Sequence, residues 1–138
     1  MAIYTDNTNK IKHAYSINLR GGHKQVKYEF GDATQVFWSC SLQWQNNYYL
    51  FGGLGEKEQV SVVNGNRLEL RGKLGFTFMN GACTVLNNIT IVLCFPVLDG
   101  NKCRKSNNPL GPFTKMPDSN DYHSATSIAS FDGMIIFY

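Results

Sequence analysis

Short apolar runs alternate with turn-forming residues along the whole chain. Residues 46–53 read NNYYLFGG, 87–95 read NNITIVLCF and 131–138 read FDGMIIFY, so turn residues precede a run of strand-forming residues each time. In RLEL at 67–70, charged and apolar residues alternate, which is typical of a strand with one face in water. The pattern predicts an all-β protein built from hairpins.

These hairpins recur with a period of about forty-three residues, which indicates a repeat architecture. Residues 31–53 align with 74–95, placing Cys40 on Cys83, and residues 15–30 align with 60–74. Glycine and asparagine occupy the turns, where tight hairpins require positive φ. We expect roughly four antiparallel strands per period, which is the unit of a β-propeller blade. A β-sandwich would use similar strands but has no reason to repeat at a fixed period.

The repeats predict one domain over residues 1–138. It would contain outer strands at 11–30, a blade at 36–74, a second blade at 78–117 and inner strands at 123–138. Because the two terminal pairs are complementary halves of one blade, two copies would close a ring of about six blades. We therefore expect a homodimer. A filament formed by an open version of the same contact, and a fragment of a longer protein, are the alternatives.

The repeat pattern resembles that of kelch-type propellers. The resemblance rests on the apolar strand that ends in Gly52-Gly53, on the four-stranded unit, and on the copy that opens with His123-Ser124-Ala125. The double glycine follows the first of these strands, whereas the second strand continues as Cys94-Phe95-Pro96. The resemblance implies a kelch-like β-propeller with about three four-stranded blades per chain.

The cysteines have no CxxC spacing and the histidines lie far from them, so we expect no metal site. Cys94 and Cys103 flank a predicted hairpin turn, and we expect them to form a disulfide. Cys40 and Cys83 occupy equivalent places in two blades, which are normally too far apart to bond, so we expect two buried thiols. A disulfide favours a secreted or extracellular protein, with a cytoplasmic location as the alternative.

Charge and motifs limit the function classes. The net charge of +3 is spread over the chain, too thinly for a nucleic-acid interface, and no apolar run is long enough to span a membrane. No catalytic motif occurs, and Asp118 and Asp121 fit a polar loop better than an acid–base pair. We therefore expect no enzyme and no cofactor. Asn88-Ile89-Thr90 is a glycosylation candidate at Asn88 if the chain enters a secretory pathway.

Propellers bind partners through loops at one end of their blades, so we expect binding residues where inner strands begin. The apolar residues among them also suit the core between blades, which is the interpretation favoured for Phe37, Trp38, Phe78 and Met79. We expect a module for protein–protein interaction; a lectin-like carbohydrate-binding propeller, a structural filament and a hydrolase using Asp118 or Asp121 are alternatives. The predicted binding residues are Trp38, Asn80, Asp121, Tyr122 and His123.

Overall fold

Every regular element of the described chain is a β-strand, which confirms the all-β prediction. Side chains are described within residues 38–53, 57–94, 96 and 102–117. The computed structural model describes residues 2–5, 13–17, 25–30, 38–53, 57–94, 96, 102–117, 128–131 and 134–137. In chain order the strands are β1 (Ala2–Thr5), β2 (His13–Ile17), β3 (Gln25–Phe30), β4 (Cys40–Trp44), β5 (Asn47–Phe51), β6 (Gln59–Asn64), β7 (Arg67–Lys73), β8 (Ala82–Leu86), β9 (Thr90–Cys94), β10 (Cys103–Ser106), β11 (Thr114–Lys115), β12 (Ile128–Phe131) and β13 (Met134–Phe137).

Two antiparallel meanders form the centre of the described structure. The first meander is β4 to β7 and the second meander is β8 to β11, and in each one consecutive strands are neighbours. The four-stranded antiparallel organisation predicted for each period is therefore confirmed for these two units. The first hairpin turn is Gln45-Asn46, because Trp44 pairs with Asn47; the predicted turn Asn46-Asn47 was wrong by one residue.

The remaining strands differ from the prediction in how they pair. β2 pairs antiparallel with β1 on one side and with β3 on the other, and β3 joins the first meander through a parallel pairing with β7. Neither β1 nor this parallel pairing was predicted. The outer edge of β7 offers unpaired backbone groups, and β3 satisfies part of them. β12 and β13 form a separate two-stranded sheet, and β12 lies next to β8.

The main core lies between the two meanders. Phe113, Tyr49 and Phe76 extend it through edge and stacked ring contacts. A second buried cluster, formed by Ala82, Val92, Cys94 and Cys103, uses other residues of the second meander. The second meander thus buries apolar side chains in two separate clusters. The buried members of the main core are Leu42, Phe51, Val60, Leu74, Phe78, Ile91 and Leu93.

The glycine that ends β5 is required by a close backbone approach. Gly52 has a φ of 66°, and a Cβ at this position would overlap the carbonyl oxygen of Phe78. Its neighbour Gly53 donates a backbone hydrogen bond of 3.1 Å to the same oxygen. The segment that connects the two meanders therefore crosses directly over the end of β5.

Both pairs of cysteines form disulfides. Cys94 and Cys103 are directly paired across β9 and β10, with a Cα–Cα distance of 4.1 Å, as predicted. Cys40 and Cys83 are also bonded, with a Cα–Cα distance of 6.0 Å, so the prediction of two free thiols was wrong. That prediction assumed a large separation between equivalent positions. β4 and β8 lie side by side, which brings these two positions within disulfide reach.

Candidate functional site

β4 and β8 begin at the same end of the molecule, because a disulfide joins Cys40, the first residue of β4, to Cys83, the second residue of β8. We call this the leading end and define it by residues 38–40, 52–53 and 78–83. The opposite end, which we call the turn end, contains the hairpin turns at 45–46, 65–66 and 87–89. The predicted binding residues at 38 and 80 both lie at the leading end.

Trp38 precedes the first meander and Asn80 precedes the second, and the fold brings their backbones together. The backbone N–H of Asn80 donates a hydrogen bond of 2.9 Å to the carbonyl oxygen of Trp38. Both residues have left-handed backbones, with φ of 61° at Trp38 and 52° at Asn80. A left-handed conformation is uncommon for a bulky aromatic residue and costs free energy. The surrounding structure must therefore hold Trp38 in place.

The side chain of Trp38 faces water to a large extent. Its exposed fraction is 46%, whereas Phe78 is fully buried and Met79 is 9% exposed. The core interpretation is thus confirmed for Phe78 and Met79 and wrong for Trp38. Phe78 belongs to the cluster that fills the space between the meanders, and Trp38 belongs to neither buried cluster. Asn80 is exposed beside it.

Covalent and backbone contacts support this pair on both sides. The Cys40–Cys83 disulfide lies two residues after Trp38 and three residues after Asn80 in the sequence. The N–H of Phe78, which precedes Asn80 by two residues, donates a hydrogen bond of 2.8 Å to the carbonyl oxygen of Lys57. The indole ring is therefore carried on a backbone that the first and second meanders fix together.

The other predicted site residues have different outcomes. Asp121, Tyr122 and His123 lie outside the described residues, as do Phe37 and Asp118. Asn88 is exposed in the turn between β8 and β9, with a φ of 60°, so its side chain is accessible to a modifying enzyme. Glycosylation of Asn88 stays a prediction.

The described side chains offer binding groups at the leading end. Trp38 supplies an aromatic face and Asn80 supplies a carboxamide, and both lie near the Cys40–Cys83 disulfide that cross-links the backbone. Within residues 38–53, 57–94, 96 and 102–117, no three His, Cys, Asp or Glu side chains are grouped so that they could hold a metal ion. In the same part of the chain there is no helix with the length and apolar character needed to cross a membrane.

Sequence reasoning missed an open pocket at the turn end. Its volume is about 510 Å³, and it lies between the β8–β9 turn and the segment that follows β10. The signal in the sequence is the run SNNPLGP at 106–112, which combines amide, hydroxyl and turn-forming residues.

No protein-family model and no curated protein matches this chain.

Proposed function

We propose that this protein is a non-enzymatic binding module that docks a protein partner at its leading end. The observation that carries the proposal is Trp38, a half-exposed indole held in a left-handed conformation by Asn80 and by a nearby disulfide. Strained residues cluster at functional sites, and tryptophan is strongly enriched among the residues that dominate binding energy at interfaces.

The kelch-like propeller remains the architecture that we propose for this module. Three strands support it: β8 lies next to both β4 and β12, and each of these strands begins one of the repeat copies. Neighbouring blades of a propeller bring their inner strands together in this way. The apolar clusters on the second meander also suit a blade that has neighbours. The parallel pairing of β3 with β7 is a departure from the simple blade pattern.

The expected contribution of Trp38 follows from its exposed area. A tryptophan side chain buries roughly 150–250 Å² when fully covered, so covering the exposed half removes about 100 Å² from water. At about 25 cal/mol per Å², this area stabilises a complex by about 2.5 kcal/mol. Trp38→Ala should therefore weaken partner binding roughly 30-fold or more, since hot-spot residues cost about 2 kcal/mol or more when truncated.

The test compares three forms of the chain: wild type, Trp38→Ala and Leu110→Ala. Leu110 is 48% exposed and belongs to the turn that follows β10, so it is a matched control for loss of an exposed apolar side chain. Each form is used to capture proteins from extracellular fluid, and captured proteins are titrated by calorimetry. A partner that binds wild type and Leu110→Ala equally and Trp38→Ala much more weakly supports the proposal. If Trp38→Ala binds every captured protein as tightly as wild type does, the proposal is contradicted.

A carbohydrate ligand at the leading end is the second candidate, because an exposed indole beside a carboxamide suits a sugar ring. The apolar face of a sugar stacks on an aromatic ring, and its hydroxyl groups bond to an amide. A glycan array probed with the same three forms separates the candidates. Consistent glycan binding that Trp38→Ala removes would replace the protein-interaction proposal with the lectin proposal.

We also propose that the chain works outside the cell and as a homodimer. The Cys40–Cys83 and Cys94–Cys103 disulfides are consistent with an oxidising, extracellular environment. A dimer would complete a ring of about six blades, and a filament is the open alternative. Light scattering gives the solution mass: twice the chain mass of 15.5 kDa is expected. A stable monomer contradicts the closed dimer, and a ladder of large masses favours the filament.

A further inference from the structure

The pocket at the turn end is separate from Trp38, and six of the nine described residues that line it have polar side chains. Thr90 at the start of β9 forms one wall, and the segment that follows β10 forms the other. Leu86 and Pro112 add apolar surface to the lining. Its volume of about 510 Å³ falls in the range that binds small molecules, roughly 300–1,000 Å³. The polar lining residues are Thr90, Lys105, Ser106, Asn107, Asn108 and Thr114.

Hydrogen bonds within the lining hold the pocket in shape. The Thr90 hydroxyl donates to the amide oxygen of Asn107 at 2.7 Å, which ties the two walls together. The amide oxygen of Asn108 accepts from the N–H of Leu110 at 2.9 Å, and the N–H of Asn108 donates to the Ser106 hydroxyl at 3.1 Å. Because these bonds tie the pocket residues to one another and to the following turn, they fix the shape of the pocket and binding requires little ordering.

The groups left for a ligand are hydrogen-bond donors. The amide oxygens of Asn107 and Asn108 accept hydrogen bonds from Thr90 and Leu110, and neither NH₂ group has a hydrogen bond to another described residue. Lys105 is exposed and forms no ion pair with a described residue. Among the described residues that line the pocket there is no aspartate or glutamate. An ammonium group and two carboxamide NH₂ groups without a carboxylate favour a ligand that is rich in acceptors and negatively charged.

We infer that this pocket binds an acidic monosaccharide, a six-membered sugar ring that carries a carboxylate. The carboxylate would accept hydrogen bonds from Lys105 and from the amide of Asn108. The ring hydroxyls would donate to the Thr90 and Thr114 oxygens, whose own protons go to Asn107 and to the Lys105 carbonyl, and would accept from the Ser106 hydroxyl. The apolar face of the ring would contact Leu86 and Pro112. This site goes beyond the proposed partner surface, because it lies at the other end of the strands.

The ligand chemistry is tested by NMR titration of the isotope-labelled full chain with four probes. D-glucuronate and N-acetylneuraminate carry both the carboxylate and the hydroxylated ring, D-glucose lacks the carboxylate, and acetate lacks the ring. At least one acidic sugar should shift the amide signals of residues 105–112 and bind at least about ten-fold more tightly than glucose or acetate. Equal affinity for glucose, equal affinity for acetate, or no response to either acidic sugar overturns the inference.

Variants locate the site and separate it from a general surface effect. Asn108→Asp keeps an oxygen that accepts from Leu110 but replaces the NH₂ donor with a charged oxygen, so it should abolish binding of the acidic sugar. Lys105→Gln should weaken binding at least about ten-fold. Asn66→Asp and Lys115→Gln make the same charge changes at exposed positions outside the lining and should bind as wild type does.

Two further comparisons complete the test. Circular dichroism confirms that each variant folds. Trp38→Ala should bind the acidic sugar as wild type does, so failure of the partner surface at the leading end is distinguishable from failure of the pocket at the turn end. Equal loss in Asn66→Asp and Asn108→Asp would overturn the assignment of the pocket. A glucuronate-terminated glycan on an array then shows whether the sugar is bound free or at the end of a larger carbohydrate, with retained binding favouring the larger source.

Discussion

The two ends of the paired meanders are held together by different kinds of contact. At the leading end a disulfide joins β4 to β8, and backbone hydrogen bonds join Asn80 to Trp38 and Gly53 to Phe78. At the turn end the junction uses a side chain: the indole N–H of Trp44 donates to the carbonyl oxygen of Ile89 at 2.7 Å. Backbone and covalent contacts fix main-chain positions, whereas side-chain contacts fix them only through rotatable bonds. The leading end is therefore suited to present a rigid surface.

Substitution of two glycines with similar backbone conformations should give the largest difference between the ends in the free energy of unfolding. Gly52, at the leading end, and Gly65, at the turn end, have φ of 66° and 60°. A Cβ at Gly52 would overlap the Phe78 carbonyl oxygen, whereas a Cβ at Gly65 has no heavy atom within 4 Å. Gly52→Ala should lower the free energy of unfolding by at least about 4 kcal/mol, since strain and overlap add. Gly65→Ala should cost only the left-handed strain, about 1–2 kcal/mol.

Urea unfolding followed by circular dichroism measures both glycine variants, and a variant that does not fold at all counts as the large loss. Equal costs at the two positions would show that the connection between the meanders does not approach Gly52 as closely as described. The leading end would then lack the rigidity that the comparison assigns to it.

Removal of each disulfide should give the next largest loss in the free energy of unfolding. The Cys40–Cys83 bond closes a sequence separation of 43 residues and the Cys94–Cys103 bond closes one of 9 residues. Chain entropy predicts a loss of about 4 kcal/mol for Cys40→Ala with Cys83→Ala, and about 2.5 kcal/mol for Cys94→Ala with Cys103→Ala. Guanidinium unfolding of the two double variants checks the order. A larger loss in the Cys94 and Cys103 variant would contradict the role given to the bond between the meanders.

Removing the hydrogen bond between Trp44 and Ile89 at the turn end should lower the free energy of unfolding by less than removing a disulfide does. Trp44→Phe deletes the indole N–H that bonds to Ile89 and keeps an aromatic ring beside Tyr49. We expect a loss of about 1–2 kcal/mol in the free energy of unfolding, because the Ile89 carbonyl can then bond to water. Tyr48→Phe, which removes an exposed hydroxyl bonded to Gln43, is the control and should cost less than about 0.5 kcal/mol. A loss above about 4 kcal/mol in Trp44→Phe would make the two ends equivalent.

The smallest expected effect belongs to an exposed contact near the turn between β6 and β7. The Asn64 amide donates to the Glu69 carboxylate at 3.1 Å in an exposed position. Asn64→Ala should change the free energy of unfolding by about 0.5 kcal/mol or less, since water replaces the bond. Thermal unfolding at low and high salt measures it. A loss comparable to that of Trp44→Phe would show that surface contacts hold the turn end.

Contacts that are local in the sequence could be predicted from it. Asn87, Asn88 and Gly65 occupy turns that need positive φ, and Cys94 and Cys103 flank one hairpin, so their arrangement follows from the chain around them. The Cys40–Cys83 bond depends on how two separate sheets pack, and local pattern does not encode which strands lie side by side. The same limit applies to the parallel pairing of β3 with β7.

The candidate site was predicted in part for the same reason. The start of a repeat strand identified positions 38 and 80 as loop residues, but aromatic character favoured a core role for Trp38. Its hydrogen bond from Asn80 forms only once the two meanders are adjacent. The turn-end pocket also needs two distant segments, since Thr90 and Asn107 become partners only in the folded chain.

Burial across the second meander has a consequence for how freely its sequence can vary. Residues 91–94 of β9 are all buried, whereas both residues of β11 are exposed. Substitutions in β9 must preserve volume and apolar character, because a methylene added or removed there disturbs packing. A saturation mutagenesis library selected for surface display should therefore retain few amino-acid types at the positions of β9 and nearly all twenty types at those of β11. Tolerance to substitution would thus differ between strands of one sheet.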